Sequence, residues 1–119
     1  MSKAADLALL AGGADTSTDT SNSGDVTLDF SQFQNFILTF TGNVTFANPT
    51  TEVIGQSGFI ICIQDGTGSR TLSFNAAYEF KDDTAPTLTT TASKGDLFVF
   101  RYNGSKFLEV GRNQNLTLS

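Results

Sequence analysis

Short apolar runs separated by turn-forming residues recur along the chain from Val26 onward, and residues 14–25 before it lack them. Residues 26–30 alternate Val, Leu and Phe with Thr and Asp, the two-residue period of a strand with one buried face. Residues 36–40 and 44–47 flank Thr41-Gly42-Asn43, which predicts a hairpin with a glycine-bearing loop. Residues 57–64 are almost continuously apolar, as in a strand covered on both faces. Residues 70–75 and 88–91 are further short strand candidates. This spacing belongs to a sandwich or barrel. The expected fold is all-β: an antiparallel β-sandwich, jelly-roll-like, with a short N-terminal arm.

The strongest local signal is Asn103-Gly104 between the apolar-rich runs 96–102 and 105–110, because both residues tolerate the positive φ of a type I′ turn. A two-residue loop there pairs Tyr102 with Ser105, Phe100 with Phe107, Val99 with Leu108 and Leu97 with Val110. One face of the ribbon then carries Phe98, Phe100, Tyr102 and Phe107, and the other Leu97, Val99, Leu108 and Val110. Both faces are apolar, whereas a two-layer sandwich hides only one face of each sheet. Something must cover the second face: a neighbouring subunit, the N-terminal segment or the C-terminal tail, unless a strongly curved sheet buries both sides within one subunit. Self-association is the expectation put first, with Phe98, Phe100, Tyr102 and Phe107 as candidate subunit contacts. The tail alternates Leu116 and Leu118 with polar residues, the pattern of an edge strand or one lent to another chain, and both leucines join that candidate set.

Residues 1–25 read as an anchoring arm, and 26–119 as the β domain. Ser2 can cap a helix over residues 4–11 that Gly12-Gly13 stops. So short a helix forms only if Leu7, Leu9 and Leu10 dock on something. Residues 14–25 hold no apolar side chain larger than Ala and read as a linker.

The 119 residues suffice for one domain with a real core. Eleven Phe, no Trp and many Thr suit pleated, half-buried surfaces. A net charge of −5 with the seven basic residues scattered argues against nucleic acid and an anionic membrane surface. Cys62, the sole cysteine, stands among aliphatic residues and reads as a buried, inert thiol. The first residues fit a secretion signal poorly, since Asp6 interrupts the apolar stretch, so synthesis in the cytoplasm is expected.

The chain has no His, which removes the commonest general base and metal ligand and every Ser/His or Cys/His nucleophilic arrangement. Asp82-Asp83, or Asp65, Glu79 and Asp96 brought together, could work on a saccharide as carboxylate pairs do, but Asp82-Asp83 sits in turn chemistry. The stretch from Asp15 to Asp19 alternates oxygen donors without the bidentate Glu of a calcium loop. Gly66-Thr67-Gly68 lacks a Lys and leads into a strand, so it reads as a turn and not a phosphate cradle. Asn43, Asn103 and Asn115 begin glycosylation triplets that read as chance. No enzyme activity, metal or cofactor is expected.

Gln64-Asp65 followed by Gly66-Thr67-Gly68-Ser69-Arg70-Thr71, then Tyr78-Glu79-Phe80, then Thr84-Ala85-Pro86-Thr87-Leu88-Thr89, and a closing hairpin over 96–110 resemble a β domain recurrent in tailed-phage virion proteins, at the C-termini of tail fibres and in decoration-type proteins. The resemblance covers residues 26–112. It implies a compact β domain, often trimeric, with no catalytic residues to carry over. Many relatives have a Trp-rich segment where this chain has Tyr78 and Phe80. A β module with a short arm also resembles a capsid decoration, or cement, protein. The leading expectation is such a protein on the outer surface of a phage head, a homotrimer stabilising the assembled shell, with Leu7, Leu9 and Leu10 anchoring it to the major capsid protein. The alternative is a short tail-fibre tip that reads a host surface receptor.

Overall fold

The computed structural model describes residues 15–49 and 54–118. The helix expected over 4–11, with Leu7, Leu9 and Leu10, lies outside the described residues.

Seven strands form the fold: β1 (Thr16–Val26), β2 (Asn35–Phe46), β3 (Ser57–Gln64), β4 (Leu72–Phe74), β5 (Tyr78–Glu79), β6 (Lys94–Tyr102) and β7 (Phe107–Thr117). The class is all-β, and a 3₁₀ turn at Lys81–Asp83 is the one helical element among the described residues. The strands do not divide into two antiparallel sheets. They make a single mixed sheet in the order β1-β2-β3-β6-β7-β5, with β4 paired to β2, curled into a half-barrel. β1, β2 and β3 run parallel to one another, while β6 runs antiparallel to both β3 and β7. β4 pairs with the far half of β2 and β5 pairs with β7, so the chain from β4 to β5 straps together the two sides of the opening.

Several expected elements take a different form. Residues 16–25, read as part of a polar linker, form with Val26 strand β1, an edge strand that buries only Asn22 among its side chains. Backbone ladder bonds to β2 hold it, so no apolar alternation is needed. The hairpin expected at Thr41-Gly42-Asn43 is absent, because β2 runs straight through it. Gly42 serves close approach there: a Cβ on it would lie 2.8 Å from Ser23 Cβ on β1. Leu28 and Phe30 keep the expected alternation and are both buried, but they sit in the crossover from β1 to β2. Residues 88–91 are extended coil with Leu88 buried.

The β6–β7 hairpin forms with a slipped register. Asn103 N–H donates to the Lys106 carbonyl at 3.1 Å, which centres the turn on Gly104-Ser105, with Gly104 at φ 101°. Asn103 Oδ1 accepts the N–H groups of Ser105 and Lys106 at 2.9 and 2.8 Å, and this side-chain turn sets the position. Tyr102 therefore pairs with Phe107 and Arg101 with Leu108. From Tyr102 to Phe100 each partner slides by two, which leaves those side chains on their expected faces, and from Val99 on the slide is three, across a bulge at Val110.

The inward face and the segments closing over it build an aromatic core. Phe40, Phe46 and Phe98 are fully buried, and Phe36, Phe100, Tyr78, Tyr102 and Phe107 nearly so. Phe74 packs edge-on or tilted against Phe46, Tyr78, Phe80, Phe98 and Phe100. A fully buried Phe stabilises by about 1.5–3 kcal/mol, so this cluster is the main source of cohesion.

Candidate functional site

The candidate subunit contacts separate cleanly. Phe98, Phe100, Tyr102 and Phe107 are 0%, 3%, 8% and 2% exposed and belong to the core of the same chain. Leu116 is half-buried opposite Gly95, and Leu118 is 43% exposed. The second face of the ribbon looks outward. There Leu97 and Val99 join Ile37, Phe59, Ile61 and Ile63 from β2 and β3, all half-buried and none part of the aromatic core or packed against it. The ribbon's two apolar faces thus serve two surfaces, one the interior and one the outside of the barrel.

Two polar nodes hold the segments around the core. At the end of β3, Gln64 is buried, and its carboxamide accepts the Arg70 N–H while donating to the carbonyls of Arg70 and Thr89. Asp65 beside it accepts the N–H groups of Thr67 and Gly68 and pairs with the Arg70 guanidinium at 2.9 Å. The Arg70 hydrogen bond above all, helped by the Gly68 N–H, holds the Asp65 carboxyl below its ordinary range. The Gln64-Asp65 pair and the following Gly-rich run are a turn clamp that aligns β4 with β3 along one side of β2.

The second node is Asp96, fully buried on β6. Its carboxylate accepts the Thr89 N–H at 2.7 Å, the Asn115 N–H at 2.9 Å and Gln114 Nε2 at 3.0 Å. It ties the coil before β6 to an irregular step in β7, where Asn115 takes a φ of 61°. Cys62 lies opposite Asp96 in the ladder. Burial first, and the Asp96 charge second, push the Cys62 thiol well above its usual pKa.

The carboxylates considered as catalytic pairs are not brought together. Asp65 and Asp96 serve the two nodes, Glu79 lies 3.6 Å from Lys106, and Asp82 and Asp83 are exposed in the 3₁₀ turn. Among the described residues no group of His, Cys, Asp or Glu could hold a metal ion. Asn43 and Asn103 organise the backbone, Asn43 by accepting the Thr71 N–H. A cleft lined by Phe30, Gln34, Gln56, Phe59 and Phe107 admits little beyond water, and both glutamine amides are spent on backbone carbonyls. Sequence reasoning missed the roles of Gln64 and Asp96, although a polar residue at the boundary of an apolar run, at its end for Gln64 and at its start for Asp96, was a visible signal in each case.

What distinguishes this molecule is therefore a surface: a barrel wall whose outward side chains are aliphatic. Against known proteins, the model of a family described as "Putative phage tail fibre C-terminal domain" matches residues 19–106. The matched segment begins within β1 and ends in the β6–β7 turn. No curated protein and no solved structure matches the chain.

Proposed function

Because the chain belongs to the family of phage tail-fibre C-terminal domains, and is thus a phage structural protein, we propose that it is the tip module of a short tail fibre, working as a homotrimer and placed to meet the host surface. The family match over most of the barrel carries this reading. It favours the tail over the capsid shell, the location the sequence pattern put first. The physical character of the domain is compatible with the role. An aromatic core and satisfied polar nodes make a rigid body, and the chemistry-bearing side chains are spent on holding it together. Under this reading the partners are further copies of the chain, the rest of the tail and a host receptor; no cofactor is required.

Labelling the intact particle with an antibody against the domain, read by electron microscopy, tests the location. The expected result is label at the tail tip with a few to tens of copies per particle. Label over the head with hundreds of copies would refute it in favour of capsid decoration.

A further inference from the structure

We infer that the outward aliphatic face of β2, β3 and β6, extended along β7, is where copies of this chain pack on one another, with Val110 and Gly111 as a knob and a notch within the contact. The inference deepens the homotrimer reading and rests on it for the existence of an oligomer.

In a small barrel, side chains alternate between the filled interior and an exterior that normally meets water. On three adjacent strands here the outward positions Ile37, Thr39, Phe59, Ile61, Ile63, Leu97 and Val99 form a patch with no charged residue, and Arg101, the next outward residue of β6, stands at its rim opposite Ser57. The ladder sets Ile37, Ile61 and Leu97 in one row and Phe59 beside Val99 in the next. None of the six apolar members belongs to the core cluster or packs against it.

The size of the face can be set against what association needs. Strands lie ~4.8 Å apart and same-face residues ~6.8 Å apart, so four strands and three rungs span roughly 400 Å². Patches of about 300–600 Å² are the largest an ordinary monomer shows and are often functional. One partner in a stable complex contributes ~800 Å². The face supplies about half of that; on its β7 side Leu108 is 37% and Val110 63% exposed, and Leu118, just past the end of β7, is 43% exposed. Leu118 already folds toward this side: its side chain occupies the place a Cβ on Gly95 would need, next to Ile63.

The shape of β7 argues for a second copy as the occupant. Phe100 pairs with Glu109 and Val99 with Gly111, so Val110 is squeezed out of register as a bulge and projects. Its neighbour Gly111 shares the outward face with Val99, and nothing lies within 4 Å of where its Cβ would stand. A projecting Val beside an unfilled Gly lets the knob of one copy enter the notch of the next. Charge points the same way. With twelve acidic and seven basic residues, two copies repel over most of their surface. This face presents no acidic residue, and its one charge, Arg101, stands at the rim, so two copies meet here without bringing carboxylates together.

The test is light scattering after size exclusion on the full chain and three variants, with circular dichroism and melting to confirm folding. Gly111→Phe fills the notch at a position with open space around it, and Val110→Asp charges the knob. Ile54→Ser alters another exposed aliphatic residue, 77% exposed, in the loop before β3. The wild type and Ile54→Ser should be oligomeric, and Gly111→Phe and Val110→Asp should be folded but dissociate at concentrations at least about tenfold higher. An oligomer unchanged by both β7 variants would overturn the face and leave the trimer reading intact. A wild type that is monomeric throughout, its outer face covered by residues 1–14 or by a different virion protein, would overturn both. Label at the tail tip depends on neither result.

Discussion

Gln64 meets the backbone of Arg70 as one strand meets another: the Arg70 N–H donates to Oε1 at 3.0 Å, and Nε2 donates to the Arg70 carbonyl at 2.8 Å. A side chain thereby fills the gap between the end of β3 and the start of β4, which lie on the same side of β2. Replacing Gln64 by Leu keeps most of the volume and strands three backbone groups, counting the Thr89 carbonyl. Gln64→Leu should destabilise the fold by at least about 3 kcal/mol in urea unfolding, since each buried group left without a partner costs about 1–3 kcal/mol.

The neighbouring Asp65–Arg70 pair makes a pH-dependent contribution. The folded state holds the Asp65 carboxyl below its ordinary range, so it binds the proton more weakly folded than unfolded. That stabilisation is present above the ordinary carboxylate range and is lost as pH falls through the folded value. Asp65→Asn should melt below the wild type at neutral pH, and the gap should close as the pH is lowered past that range. A gap constant with pH would show that the carboxylate's charge is irrelevant.

Two glycines on the sheet should respond oppositely to the same substitution. A Cβ on Gly58 would stand 1.9 Å from the Gln34 carbonyl oxygen, which is backbone and must move with its whole segment, whereas Gly111 has open space. Gly58→Ala should cost at least about 3 kcal/mol as overpacking, and Gly111→Ala should leave the monomer's stability within about 0.5 kcal/mol. Thermal melts of the two variants side by side settle it.

Phe74 sits on the three-residue strand β4 yet touches rings from four other segments of the barrel. Phe74→Ala should destabilise by about 3 kcal/mol and loosen β4 and β5 together, seen as faster amide exchange over 72–79.

Cys62 is 1% exposed, and its thiol is held protonated by burial. A maleimide reagent at neutral pH should fail to label the folded protein and should label it fully in denaturant. Labelling of the native state would mean that β3 and β6 part on the timescale of the reaction.

These residues also mark how far the sequence could be read. The strand over 57–64 and the division of the 96–110 ribbon into two apolar faces were legible, because both follow from the period of side chains along a strand. Register was not, because Asn103 moved the turn through its side chain and the bulge at Val110 is visible only in the pairing. β1 was illegible for a different reason: an edge strand with almost nothing to bury needs no apolar pattern, so its Thr, Ser and Asp read as linker. The parallel order of β1, β2 and β3 was equally hidden, since the described parts of their crossovers, 27–34, 47–49 and 54–56, carry no helix to announce them. Which apolar face turns inward depended on where β4, β5 and Leu88 close over the sheet, and periodicity carries no such information.

The parallel course of β1, β2, β3 and β7 puts the first described residue, Asp15, at one end of the barrel and Thr117, with the Lys94 end of β6, at the other. Tension applied through these ends runs along the strands. It loads the hydrogen bonds of each ladder in shear, so rungs share the force and none is peeled alone. A body wired this way resists being stretched between its two ends.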